Sequence, residues 1–426
     1  MIYRLLIRQL KEVVQITDDS TVECLKGADM NKIKILTDCK NGLAVLVTKD
    51  GNIAAIGKED YVEEVLKGNE VEETLSTNGG ILLPGFVDAH SHPVFAGDRV
   101  HEFAMKLAGA TYMEITNVML RYGTTTLEAK SGYGLDTESE LKMLRVISSV
   151  NDEVELEISA TFCGAHAVPK GSTEDEHTRL ICEEMLPAIH KAKTDDVLKN
   201  LENIDVFCEK NVIEVQNAKK ILEAGKQIGL AVNFHAEELS CIGGAEMGAS
   251  IGARAMSHLE MISIEGIQAM SNSGTCAVLL PSTALILRLP PPPARAMITS
   301  GVVVALGSDF NPNAYCMSMP MIMHLACVYF GLSMEEAITA ATLNASYSLG
   351  RGRTHGAISI GRRADFVVLG SDIGSWKHII YRFGIDLFVM RIIFICSRQL
   401  QIKNPILCNF KSGKWFIREY NHSSDA

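Results

Sequence analysis

His90 and His92 stand two residues apart at the end of an apolar run, Leu83-Pro84-Gly85-Phe86-Val87-Asp88-Ala89-His90-Ser91-His92-Pro93. Side chains alternate faces along a strand, so both imidazoles point the same way and can grip one metal ion. Pro84-Gly85 is a turn signal that starts the strand, and Pro93 stops it. Two histidines on a wet strand face would be the plain alternative, but the run before them is apolar and further ligand-type residues follow. His235 in Asn233-Phe234-His235-Ala236-Glu237-Glu238 and Asp309 in Leu306-Gly307-Ser308-Asp309-Phe310 each close another apolar run. A catalytic metal site needs about three or four N/O ligands plus an open position for water. Taken singly, a strand-end histidine is more often structural and a Gly-Ser-Asp is often just a turn. Four such residues at separate strand ends are hard to explain that way. His258 in Met256-Ser257-His258-Leu259-Glu260 reads as a further imidazole, supporting or catalytic. Glu238, one turn past His235, can hold a nucleophilic water as general base or acid. A solvated helix-start glutamate competes with that reading, because Glu237 sits beside it.

Distant ligands need a scaffold that gathers strand ends over one mouth. From residue 81 short apolar strands alternate with helical patterns. The strands are expected at 82–92, 124–130, 157–167, 204–209, 231–237, 254–258, 276–282 and 302–309. Helices at 138–150, 215–228 and 263–272 lie between them. Eight β/α units predict an α/β fold, a TIM (β/α)8 barrel, with its site at the C-terminal strand ends. His92, Tyr133, His166, His235, His258 and Asp309 fall at those ends. Residues 1–80 read as short strands, with a hairpin at Asp50-Gly51-Asn52. After a helix that opens at Met334, Gly356 to Leu369 reads as a second hairpin. The expected domains are residues 1–80 and 351–384, which form a small composite β-sandwich, and a barrel over 81–350. Residues 385–426 form a tail of no assigned structure. Pro290 to Pro293 is a stiff loop after strand seven.

Hydrophobic residues make up 47% of the 426, enough for a sizeable core. The net charge of −11 disfavours nucleic acid and anionic membranes, which need a basic face. The 11 cysteines include no C-x-x-C pair, and several sit inside apolar runs, which fits reduced thiols in the cytoplasm. No signal peptide or membrane span is expected.

The longer phrases resemble the amidohydrolase superfamily and, within it, the imidazolonepropionase family of histidine degradation. They are Val87-Asp-Ala-His-Ser-His-Pro-Val-Phe-Ala-Gly-Asp-Arg-Val-His-Glu-Phe, Lys130-Ser-Gly-Tyr-Gly-Leu, Cys163-Gly-Ala-His-Ala-Val-Pro, Asn233-Phe-His-Ala-Glu-Glu-Leu and Gly307-Ser-Asp-Phe-Asn-Pro-Asn-Ala. The resemblance runs from about residue 43 to 384, with one gap. It implies one divalent metal, zinc or iron, on His90, His92, His235 and Asp309. It implies that Arg99 holds a substrate carboxylate, for which a guanidinium fork is suited. Tyr133 and His166 resemble groups that contact the imidazolone ring, and Asn311, Asn313 and Ala314 a product-contacting loop. Glu238 resembles the residue that binds substrate and positions the water, with His258 in support. The implied reaction is hydrolysis of the cyclic amide of 4-imidazolone-5-propanoate to N-formimidoyl-L-glutamate by a metal-activated water, with Glu238 or Asp309 moving the proton. The substrate is thus a small molecule, and a homodimer is left open. Lys210 ends strand four, where two-metal relatives can carry a modified lysine; here it reads as solvated.

Two stretches depart from the family pattern. Residues 113–123 leave room for about two turns where a Gly-rich loop and the long first barrel helix are expected, so this helix reads as truncated. A short helix would leave strands one and two poorly covered. After Gly384 the sequence matches nothing recognised in the family. A splice variant or faulty gene model would produce both. Two other readings therefore stand: an inactive or misfolded isoform that keeps the site residues without the scaffold, and a different amidohydrolase or deaminase of a nitrogen heterocycle. The long phrases count against the last.

Overall fold

Leucine- and valine-rich strands from both ends of the chain meet in one sheet. The computed structural model describes residues 2–38, 40–95, 112–383, 389–396, 399–403, 409–411 and 414–416. In the N-terminal part, β1 (Ile2–Ile16) and β5 (Glu70–Pro84) run parallel for fifteen residues each, longer than expected. Between them come β2 (Lys34–Thr37), β3 (Leu43–Thr48) and β4 (Ile53–Lys58). β3 and β4 form the hairpin expected at Asp50-Gly51-Asn52, and Gly51 takes the left-handed φ of 85°.

Eight parallel strands follow: β6 (Phe86–Asp88), β7 (Thr124–Lys130), β8 (Glu157–Ala165), β9 (Leu201–Cys208), β10 (Ala231–Ala236), β11 (Ala255–His258), β12 (Cys276–Leu279) and β13 (Val303–Leu306). They pair in sequence order. Asp309 N–H donates to His90 O at 2.8 Å and His92 N–H to Phe310 O at 2.8 Å, which joins the last strand's end to the first. The first barrel strand starts at Phe86 rather than residue 82, because Leu82 and Leu83 pair with the small sheet. Gly85 is the hand-over. A Cβ there would lie 2.3 Å from Thr125 Oγ1 and Cγ2.

After the barrel, β14 (Phe366–Leu369), β15 (Val389–Cys396) and β16 (Gln399–Lys403) extend the small sheet beyond β5, in the order β16-β15-β14-β5-β1-β3-β4. All eight strands of this unit, with β2 beside β1, share one hydrogen-bonded sheet. Leu5, Ile7, Leu10, Leu82 and Phe366 pack together in one core, while Val14, Ile16, Ile81, Leu83 and Val367 join the barrel's core. The hairpin expected from Gly356 is a single strand, β14, after a turning segment. Arg362 is buried there and donates to three backbone carbonyls, of Gly352, His355 and Val22.

The helix after β6 spans Tyr112–Arg121, ten residues or about 15 Å, against the expected two turns. Ile115, Met119 and Leu120 are buried in the main core. The backbone of β15 passes beside this helix. Among the described residues, no helix is long and apolar enough to cross a membrane, and eight cysteines are free thiols.

Candidate metal centre and cavity

The barrel interior is divided. On β6 and β11 to β13 it is apolar, with Val87, Ala255, Val278 and Ala305 in contact. On β7 to β10 the inward positions are polar: Glu128, Lys130, Thr161, Asn203, Asp205 and His235, all at most 3% exposed. Period-two alternation in Thr124-Thr-Thr-Leu-Glu-Ala-Lys puts Thr126, Glu128 and Lys130 on the same face.

His90 and His92 lie just beyond β6 and His235 near the end of β10. Their Nε2 atoms gather: His92 Nε2 is 3.2 Å from both His90 Nε2 and His235 Nε2. Asp309 Oδ1 lies 3.6 Å from His90 Nε2 and 3.7 Å from His92 Nε2. Groups behind three of them fix the orientation, while His92 Nδ1 has no hydrogen-bond partner among the described residues. His235 Nδ1–H donates to Asp205 Oδ1 at 3.0 Å, His90 Nδ1 meets Ser257 Oγ at 2.7 Å, and Thr283 Oγ1 donates to Asp309 Oδ2 at 2.6 Å. Lys130 Nζ stands 2.8 Å from Asp205 and 3.0 Å from Glu128. Burial would raise the Asp205 pKa, but His235 and Lys130 beside it hold it well below the usual carboxylate range.

Because His235 spends its Nδ1 proton on Asp205, its Nε2 presents a lone pair. Burial pushes the pKa of His90, His92 and His235 down, so these rings are neutral. Lone pairs and a carboxylate oxygen crowded within 4.8 Å repel one another unless a cation sits among them. The donor set of imidazoles and one carboxylate suits zinc or iron. The backbone is held in the left-handed region at Glu237, His258 and Asp309, with φ of 53°, 78° and 47°. Such conformations persist where surrounding structure over-determines them, commonly at functional sites.

A cavity of about 350 Å³ opens onto this cluster. His166 stacks on His92 at 4.9 Å and meets Tyr133 edge-on at 5.4 Å. Asn311, Asn313 and Ala314 also line it, and Asn311 Oδ1 accepts the backbone N–H of Asn313 at 2.8 Å and of Ala314 at 3.1 Å. Glu238 and His258 also face the cavity, with His258 Nε2 3.7 Å from Glu238 Oε2. Burial, with the Glu209 charge, pushes the Glu238 carboxyl up to about 7. Arg99 lies outside the described residues, and Lys210 is exposed. Sequence reasoning missed Asp205, Lys130, Glu128, Ser257, Thr283 and Glu260. The polar alternation along β7 was the signal for Glu128 and Lys130.

A model described as the Amidohydrolase family matches residues 81–415, and so runs through most of the segment after Gly384. The chain is 49% identical over 410 residues to a probable imidazolonepropionase of Nematostella vectensis, covering 89% of this chain and 95% of that one. It is 49% identical over 372 residues to a human protein of the same description, covering 80% and 87%. A Dictyostelium discoideum counterpart is 44% identical, with 84% and 89% covered. Among solved structures, an adenosine deaminase from Xanthomonas campestris with bound zinc superposes with a TM-score of 0.69 at 18% identity, covering 96% and 95%. A triazine hydrolase from Arthrobacter aurescens reaches 0.72 at 15% identity, covering 95% of each chain. At such identity the likeness is one of fold.

Proposed function

The chain belongs to the amidohydrolase family, and within it we propose that this protein opens the ring of 4-imidazolone-5-propanoate to give N-formimidoyl-L-glutamate. The observation that carries this reading is the near-full-length identity to proteins described as probable imidazolonepropionases. His90, His92, His235 and Asp309 would hold one zinc or iron ion, which supplies Lewis acidity and makes a water nucleophilic near neutral pH. Glu238, with its carboxyl raised to about 7, takes a proton from the attacking water and delivers it to the departing ring nitrogen. The water oxygen bonds to the ring carbonyl carbon, the C–N bond breaks, and the nitrogen leaves protonated. His258 steadies Glu238, and Asp309 shares the proton traffic from across the cluster. Tyr133 and His166 offer the planar ring a stacking and edge surface. Arg99 pairs with the propionate carboxylate, and the loop of Asn311, Asn313 and Ala314 contacts the product. The enzyme acts in the cytoplasm.

The test is turnover of imidazolone propionate by purified protein before chelation, after it, and after zinc or iron is restored. Ring opening that disappears on chelation and returns at about one metal per chain supports the reading. Ammonia release with the ring intact, or activity indifferent to metal, sinks it.

A further inference from the structure

Three buried groups lead inward from the cavity wall. Glu238 Oε2 is 3.7 Å from His258 Nε2, and on the far side of the ring Glu260 Oε2 is 3.9 Å from His258 Nδ1. The Glu260 side chain is wholly buried. Neither of its oxygens, nor His258 Nδ1, has a hydrogen-bond partner among the described residues. A buried carboxyl and a buried ring nitrogen left unpaired are each costly, and native proteins rarely leave them so. Here the two orphaned groups face each other. The chain turns through consecutive left-handed residues, His258 at φ 78° and Leu259 at φ 68°, on its way to Glu260. At 3.9 Å the two stand just outside hydrogen-bond reach, and catalytic hydrogen bonds are commonly long before substrate binds.

We infer that Glu260 is a positioning residue: as a neutral acid it donates its O–H to His258 Nδ1 and holds the tautomer whose Nε2–H faces Glu238 and the cavity. Burial pushes the Glu260 carboxyl up to about 9, and the charges of Glu238 and Asp309 push the same way. The other tautomer would set an Nε2 lone pair against the oxygens of Glu238. With Glu260 in place, His258 Nδ1 gains a donor and its Nε2–H gains an acceptor in Glu238, and no net charge is buried beyond Glu238 itself. The role of Glu260 in turnover rests on the proposed function; the tautomer does not.

Zinc-loaded protein carrying ¹⁵N-histidine, with His258 assigned by loss of its signals in His258→Gln, reports the tautomer by long-range ¹H–¹⁵N correlation. The Nε2–H form is expected in the wild type and in Glu260→Gln, and a shift away from it in Glu260→Leu. An Nδ1–H form in the wild type overturns the assignment. In turnover, Glu260→Leu should lower kcat about a hundredfold at unchanged KM and full zinc content. Glu260→Gln should recover most of that loss, since its amide N–H can donate to Nδ1. Undiminished kcat in Glu260→Leu, or a loss that tracks zinc content or melting temperature, also overturns it. Wild-type protein that opens no imidazolone ring would sink the proposed function while leaving the tautomer measurement intact.

Discussion

Asp205 serves two buried groups at once: it accepts from the neutral His235 ring and, together with Glu128, balances Lys130, wholly buried beside it. Asp205→Ala frees the His235 ring to rotate and leaves Lys130 with Glu128 as its remaining buried anion. Metal affinity should fall about 10–100-fold, measured by competition with a chelator of known affinity. Unchanged affinity would mean that packing alone orients His235. Arg99→Ala should raise KM for the propionate substrate and leave kcat little changed, because the lost pair binds ground and transition states alike. A fall in kcat at constant KM would assign Arg99 a different task. The four ligand-type residues were legible because each closes an apolar run, where water-exposed histidines and aspartates have no reason to sit. Asp205 was not. A charged residue inside a strand normally faces solvent, and only barrel closure turns that face inward.

Two elements carry the strand that bears His90 and His92. At its start, Gly85 lets β6 leave the small sheet against Thr125, whose Cβ would lie only 2.8 Å from an added Cβ. Rotating Thr125 cannot relieve that contact. Gly85→Ala should destabilise by about 1–3 kcal/mol, seen as a lower denaturant midpoint at an unchanged m-value. An equal midpoint would show that the two backbones can part. Against the neighbouring strand β7 packs the helix Tyr112–Arg121, whose Met119 is 0% exposed. Met119→Ala should cost about 2–5 kcal/mol. Metal content should drop with it if the helix steadies the strand, and a variant that melts like the wild type would show the cover to be dispensable. Sequence periodicity revealed the barrel strands to within a few residues. It misplaced the start of the first, because Leu82 and Leu83 are equally apolar in either sheet and only tertiary pairing decides between them.

The two units are tied at the foot of the barrel. Glu157, at the start of β8, meets Arg351 at 2.6 Å and His355 at 3.2 Å, and also pairs with Arg363. Arg351 further pairs with Glu202 at 2.7 Å, and Arg363 with Asp365 at 3.2 Å. The basic partners all lie in the stretch that returns from the barrel to the small sheet, so one carboxylate anchors that crossing. Burial would raise the Glu157 pKa, yet His355, Arg363 and Arg351 hold it well below the usual range. A carboxyl whose folded pKa is depressed contributes stability that is fully present above its unfolded pKa of about 4.3. That contribution is lost as pH falls through the lower, folded value. Glu157→Gln keeps the shape, removes the charge and leaves two guanidiniums facing an amide. At pH 7 it should be less stable than the wild type by about 1–3 kcal/mol, the cost of losing the charge from a partly buried, charge-assisted cluster. Below about pH 4 the wild type itself begins to lose the interaction, so the two denaturation curves should converge there. A gap that stays constant from pH 7 to pH 3 would mean that the glutamine loses packing rather than charge, and that the crossing is held by its apolar contacts alone.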